Sequence, residues 1–242
     1  MPQKEVTLVN STHQNTSIST DFNPQQEEEF VNKLIKSYLY LNSPLKRYLD
    51  IFGATIGLIF LFPLFLLACL LVTVIDKVPF LFKQERYGYN GQTFTMYKLR
   101  TLKVIEKRDM VDHTRIQKKP QYSTTRTGKF WRISSIDEII QFWLVLKGDM
   151  SLIGHRPIPV YYLPHLHKIE NYNQAKVDEY LRCISLYKPG MSSLSSVNGR
   201  GDLSMQEKFS YDFYYAQNAS FSLDLKLLIL TIFAVITGKG AK

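Results

Sequence analysis

The distribution of apolar residues describes a mainly helical α+β chain held at a membrane, carrying one small β-hairpin. Ile51–Ile75 is an uncharged run of 25 residues, long enough for a membrane helix. Phe80–Lys83 and Thr93–Leu99 are extended runs on either side of Asn90-Gly91, a pair suited to a hairpin turn. The other periodic segments repeat at helical spacing.

Composition narrows the function. Hydrophobic residues make up 45% of the 242, so the chain is not wholly disordered. Two cysteines, Cys69 and Cys183, exclude a disulfide scaffold and a cysteine-rich zinc module, and they suit a reducing compartment. The net charge is +9, yet residues 1–40 hold three lysines against five acids, so the rest of the chain carries the whole basic excess. Such a body seeks anionic partners: lipid headgroups, phosphorylated small molecules or nucleic acid. The dispersed charge and the lack of a nucleic-acid motif argue against the last.

Residues 1–30 are rich in Asn, Gln, Ser, Thr and Glu and read as a disordered or loosely attached tail. Residues 31–50 read as helix interrupted at Pro44, giving a polar stretch over 1–40, a membrane segment over 41–77 and a catalytic body over 78–242. Pro63 lies at the middle of the apolar run, where it removes a backbone donor and favours a break. Lys46 and Arg47 precede the run and Lys77 follows it, so flanking charge gives no direction of crossing. A re-entrant helix–break–helix and a kinked spanning helix both fit. Residues 103–128 read as a loop with some helix and Ser134–Lys147 as a helix ended by Gly148. Residues 161–182 and Glu207–Tyr215 read as helices on either side of a Ser/Gly-rich loop, Lys188–Arg200. Phe221–Thr237 has an uncharged run of only 11 residues, which suits an amphipathic surface helix or a core helix.

The chemistry concentrates at SSIDEIIQFWLVLKGDMSLIGHRP, residues 134–157. With Ser135 as N-cap, Asp137 and Glu138 fall in the first helical turn, where backbone N–H groups and the helix dipole favour carboxylates and phosphate. Ser-x-x-Glu is also an ordinary capping box, and both roles can coexist. Arg86, Lys98, Arg100, Arg132, Lys147, Arg156, Lys188 and Arg200 lie in segments that fold back toward this turn. Paired carboxylates among cations suit a metal-bound pyrophosphate, with Mg²⁺ on hard oxygens and a carboxylate attacking phosphorus.

LKRYLDIFGATIGLIFLFPLFLLA, FKQERYGYNGQTFTMYKLRTL, RISSIDEIIQFWLVLKGDMSLIGHRP, YKPG, VNGR and YDFYYAQNASFSLDLKLLILT follow one another in this order. Together they resemble the bacterial sugar transferases, the monotopic phosphoglycosyl transferases, from Pro44 to the C-terminus. The resemblance implies transfer of a sugar 1-phosphate from a UDP-sugar to polyprenyl (undecaprenyl) phosphate, with release of UMP. It also implies Asp137 as nucleophile, Glu138 as Mg²⁺ ligand, and Arg132, Arg156, Lys188 and Arg200 at phosphates. The apolar segment becomes a re-entrant hairpin with both ends on the cytoplasmic side of a bacterial inner membrane. A lipid-linked product further implies downstream glycosyltransferases, and the membrane helix leaves room for a homodimer. With few residues ahead of the membrane segment, the chain resembles the small class of the family.

Three departures stand out. Phe62-Pro63 replaces the Ser-Pro usual at the membrane break, so the hydroxyl that would bond a freed backbone group is missing. Gly154-His155-Arg156-Pro157 replaces Gly-Pro-Arg-Pro, and His155 is expected to face solvent. Met191–Ser196 replaces Ile-Thr-Gly-Trp-Ala-Gln, losing an aromatic platform, a glycine and an amide, with consequences for donor choice or rate. The altered loop also raises the alternative of a weakly active relative serving as a membrane scaffold for glycan assembly.

Overall fold

The computed structural model describes residues 24–104, 122–168, 173–199 and 202–237. Helix α1 (Pro24–Leu41) begins inside the segment read as a tail. It is fixed to the body through Ser37, whose hydroxyl donates to the Ala216 carbonyl at 2.6 Å and accepts from the Ala219 N–H at 3.0 Å. Ser43 then caps α2 (Pro44–Leu71) by accepting from the Lys46 N–H, with Pro44 where its missing donor costs nothing. A π-turn, Val72–Asp76, prolongs α2 and ends at Lys77 with φ 54°.

Pro63 does not interrupt α2: the residues on both sides of it are helical. A proline deletes one N–H and crowds one preceding carbonyl, and the other helical bonds of a long apolar segment outlast that loss. Burial along α2 is uneven. Lys46, Asp50 and Ala54 are buried near its start, and Phe65, Ala68, Cys69 and Val72 near its end, while every residue from 59 to 64 is exposed. Between these, Gly57 meets helix α4 (Gln141–Lys147), where a Cβ would lie 2.5 Å from the Phe142 ring.

Strands β1 (Leu81–Tyr87) and β2 (Thr93–Leu99) form the expected antiparallel hairpin, registered Leu81 with Leu99 and Tyr87 with Thr93. Its turn uses Asn90 at φ 55° and Gly91 at φ 72°. Strands β3 (Leu102–Val104) and β4 (Tyr122–Thr124) pair across residues 105–121, which lie outside the described residues. Helix α3 (Gly128–Ile133) follows, tied to the end of α2 by Asp76, which accepts from the N–H and the hydroxyl of Thr127. Strand β5 (Ser151–Ile153) runs parallel to β6 (Gly190–Ser192), and their approach requires two glycines: a Cβ on Gly190 would sit 2.2 Å from the Gly154 nitrogen. A 3₁₀ segment, Val160–Lys168, and helix α5 (Gln174–Ser185) occupy the stretch read as one helix. Lys188–Arg200 is not a plain loop, because it contains β6 and helix α6 (Leu194–Asn198), which Ser193 caps. Helices α7 (Met205–Asn218) and α8 (Phe221–Thr237) close the chain.

The core has three parts. The start of α2 joins α4, β5, α7 and α8 around Ala54, Leu144, Ile153, Tyr215 and Leu227. The end of α2 joins α3 and the turn after it around Ala68, Val72, Trp131, Ile136 and Ile139. Helices α5 and α7 meet around Tyr180, Ile184 and Phe209. Charge is buried at the first of these. Lys46 Nζ donates to Asp224 Oδ2 at 2.6 Å and to the Ile153 carbonyl at 3.1 Å, and lies 3.4 Å from Asp50. Tyr40 and Tyr215 also donate to Asp224, while Asp50 accepts from the Ser151 hydroxyl and the Leu152 N–H. Apolar side chains remain uncovered on α8, including Ile229, Ile232, Phe233 and Ile236.

Candidate active site

The two carboxylates lie on a single 3₁₀ turn, Ile136–Glu138, between α3 and α4. The expected continuous helix over 134–147 is therefore split, although Gly148 does end it, at φ 100°. Ser135 is not an N-cap. It adopts φ 57°, a left-handed conformation costly for a residue with a Cβ, whereas an N-cap is extended and its oxygen receives a backbone N–H. That residue reverses the chain after α3 and turns Ile136 and Ile139 onto the end of α2.

Asp137 is 9% exposed. Burial, reinforced by the adjacent Glu138, pushes its carboxyl up to about 6, while Lys98 and Arg132 pull it back. Glu138 accepts a short hydrogen bond from Lys98 Nζ on β2. Arg86 on β1 donates to the Pro157 carbonyl at 2.7 Å and to Gln84 Oε1 at 2.5 Å. Burial, then the Arg156 charge, lowers its guanidinium to about 10, so it remains cationic at neutral pH. The hairpin is seated against residues 156–159 through the Tyr87 N–H, which donates to the Ile158 carbonyl at 2.9 Å.

These groups border an open cleft whose enclosed volume is about 20 Å³. Arg86, Lys98, Glu138 and Arg156 supply charge to its lining, and Met96, Gln141, Met191, Ser193 and Ser196 supply neutral surface. Asp137 adjoins this lining through Glu138. Arg132 is exposed and acts on the Asp137 carboxyl through its charge.

The structure brings together Asp137, Glu138, Arg86, Lys98, Arg132 and Arg156. It does not bring Arg100, whose guanidinium donates to the Pro79 and Leu81 carbonyls at 2.9 and 3.2 Å and so clips the base of the hairpin. Lys147 pairs with Asp149 at the surface. Lys188 is not part of the cleft lining; its Nζ lies 3.6 Å from the position a Gly148 Cβ would take, beside Arg47. Arg200 lies outside the described residues. His155 does not face solvent. It is fully buried edge-on against Tyr187, and burial lowers its imidazole to about 4, leaving it neutral. Its carbonyl accepts from the Gly190 N–H, so the segment is drawn inward by its pairing with β6.

Sequence reasoning passed over Gln141, which is 3% exposed and lines the cleft. Its spacing of three from Glu138 was the available signal. Asp212 was missed as well. It is buried at 3% exposure and accepts from the Tyr180 hydroxyl at 2.8 Å, and no local pattern marks it.

As hard oxygen donors, Asp137 and Glu138 fit a Mg²⁺ that arrives on a diphosphate, since this ion takes one or two carboxylates and completes its shell with phosphate and water. Among the described residues there is no cluster of three or more His, Cys, Asp or Glu that would hold a metal without substrate.

The family model described as bacterial sugar transferase matches residues 41–238, more than four-fifths of the chain. The galactosyl transferase CpsE of Streptococcus agalactiae is 37% identical over 221 residues, covering 86% of this chain and 46% of that protein. The uncharacterized sugar transferase EpsL of Bacillus subtilis is 36% identical over 210 residues, covering 81% of this chain and 89% of EpsL. The UDP-glucose:undecaprenyl-phosphate glucose-1-phosphate transferase of Klebsiella pneumoniae is 34% identical over 206 residues, covering 83% of this chain and 42% of that enzyme. The chain thus spans less than half the length of the first and third of these relatives and most of the second.

Proposed function

Because this chain belongs to the bacterial sugar transferase family, we propose that it transfers a sugar 1-phosphate from a UDP-sugar to polyprenyl phosphate. The observation that carries this reading is the turn at Asp137–Glu138, half-neutralised by Lys98 and Arg132 and set beside a cleft lined by Arg86 and Arg156. A relative named as a glucose-1-phosphate transferase to undecaprenyl phosphate supports the same substrates.

The reaction proceeds in two displacements at one phosphorus. An Asp137 carboxylate oxygen attacks the sugar-bearing phosphorus, the diphosphate P–O bond breaks, and UMP leaves with the electron pair. An oxygen of polyprenyl phosphate then attacks that phosphorus, the aspartyl–phosphorus bond breaks, and the product is a polyprenyl diphosphate sugar with Asp137 restored. With its carboxyl near 6, Asp137 is mostly ionised at neutral pH and desolvated enough to react. Arg86 and Arg156 neutralise phosphoryl oxygens, and Lys98 orients Glu138. Glu138 and Asp137 would hold Mg²⁺, which when bound screens the diphosphate charge.

The fold supports placement at a membrane by re-entry. If α2 were straight, Asp50 and Val72 would lie about 33 Å apart, the width of a bilayer core, yet both are buried against the same body. The longest uninterrupted exposed stretch of α2 is 59–64, and it is wholly apolar. This pattern supports a helix bent about 59–64 that enters and returns on one face; that this is the cytoplasmic face of the inner membrane is what the family resemblance implies. In that reading the dyad would lie beside lipid headgroups, which the core shared by Ile136, Ile139 and the end of α2 supports. The product would begin a surface polysaccharide such as a capsule or exopolysaccharide.

UMP release by the purified protein, with a panel of UDP-sugars, Mg²⁺ and undecaprenyl phosphate added or withheld, tests the reading. Asp137→Asn is expected to lower release on the order of 10³-fold or more and to abolish phosphosugar labelling of the protein. Labelling that survives in Asp137→Asn would assign the nucleophile elsewhere. Silence across the panel from folded protein would favour the scaffold alternative.

A further inference from the structure

The lining of the cleft is of two chemical kinds: the charged Arg86, Lys98, Arg156 and Glu138, and the neutral Gln141, Ser193, Ser196 and two methionines. Buried polar atoms in folded proteins almost always find hydrogen-bond partners. Among the described residues four buried side-chain atoms do not, and two of them, Gln141 Nε2 and Arg86 Nε, belong to residues of this lining. Both are donors, so what each lacks is an acceptor. A guanidinium suits an anion. A neutral amide donates to a hydroxyl, carbonyl or phosphoryl oxygen alike, and the uncharged side chains around it favour an uncharged group.

The rest of the neutral part has the same character. Ser193 and Ser196 share a hydroxyl contact at 2.7 Å; the Ser193 hydroxyl also meets that of Ser195 at 2.9 Å and accepts from the Ser196 N–H at 3.1 Å, so Ser193 holds Ser196 in place and Ser196 has hydrogen-bonding capacity left for the cleft. Met96 and Met191 add polarizable apolar surface suited to the C–H face of a ring. Gln141 stands three residues after Glu138, so a group it holds lies next to the carboxylates. We propose that Gln141 and Ser196, the latter positioned by Ser193, form the subsite for an uncharged, hydroxyl-bearing sugar ring of the donor, with the Gln141 amide donating to a sugar oxygen. This inference rests on the proposed transfer reaction and specifies which part of the cleft selects the donor. It also gives a use to Met191–Ser196, where the chain departs from its family.

The test uses the full chain in detergent, Gln141→Leu and Ser196→Ala variants, the UDP-hexose the wild type accepts, and monodeoxy analogues of it. Gln141→Leu is expected to lower kcat/KM for the donor about 10-fold, the effect of one neutral hydrogen bond, through KM rather than kcat. For at least one deoxy donor the variant and the wild type should perform alike, which identifies the oxygen that is read. Without donor, Gln141→Leu should melt about 2–4 °C higher, because an unpartnered buried amide has been removed. Ser196→Ala should narrow discrimination at a second hydroxyl. Unchanged donor discrimination in both variants, with Asp137-dependent UMP release intact, would overturn the subsite and leave the reaction standing. A lower melting temperature for donor-free Gln141→Leu would overturn it too, by showing that the amide is structurally satisfied. No UMP release from any sugar nucleotide by the wild type would remove the reaction and the subsite together.

Discussion

Lys46→Met removes the only cation from a buried set in which Lys46, Asp50 and Asp224 have side chains 6%, 4% and 2% exposed. The substitution keeps the apolar stem and deletes the ammonium, leaving two carboxylates that the lysine had joined at 2.6 and 3.4 Å. Breaking a buried pair from one side costs about 3–5 kcal/mol, because the remaining charge stays desolvated. Two hydroxyls still donate to Asp224, and a hydroxyl and an N–H still donate to Asp50, which places the expected loss near the lower bound, about 3 kcal/mol. For a chain of this size that corresponds to a fall in melting temperature of about 6–12 °C. Thermal unfolding followed by circular dichroism in one detergent measures it, with Asp224→Asn and the double variant completing a cycle. The double variant should be more stable than the two single losses added together, by about 1–3 kcal/mol. A loss below about 1 kcal/mol for Lys46→Met, or strict additivity, would refute the claim that this lysine holds the start of α2 to α8 and β5.

Two further outcomes separate structural cations from those of the cleft. Arg100→Ala should lower the melting temperature by a few degrees, since each lost hydrogen bond is worth about 1 kcal/mol, while Lys188→Ala should leave the donor KM within about 2-fold; a large rise in KM for Lys188→Ala would show that its side chain swings to the cleft with substrate. Asp212 gives a pH dependence. Burial raises its carboxyl to about 7, against the pull of the Tyr180 hydroxyl and Arg156, so the folded state holds a proton that the unfolded chain releases near 4. The stability this proton confers is present at low pH and is lost as pH rises toward 7, by at most about 1.4 kcal/mol per unit. Melting temperatures of Asp212→Asn, measured from pH 5 to 8, should gain on the wild type as pH rises; parallel curves would refute this sign.

What was legible in the residues was local. Asn90-Gly91 specifies its own turn, Gly148 can adopt the positive φ that ends α4, and Pro44 interrupts the helix ahead of α2, and each acts within a few residues of itself. The acid pair and the cations around it were legible as a list. Their sorting was not, because Arg100 and Lys188 are directed by the carbonyls and charges they meet across the fold. The same holds for His155, pulled inside by a parallel strand whose partner lies far along the chain. Ser135 illustrates a capping pattern overruled by tertiary structure: packing Ile136 and Ile139 against α2 outweighs the roughly 1 kcal/mol of a cap.

The shared core of Ala68, Val72, Ile136 and Ile139 has a mechanical consequence. In the proposed placement, the depth to which the apolar tip sinks and the elevation of Asp137 above the lipid tails are one coordinate. The carboxylate rides at a set height, like a gauge fixed to a float. Lengthening or shortening the exposed stretch at 59–64 would raise or lower the whole body, moving the carboxylates relative to the phosphates without altering a single residue of the cleft.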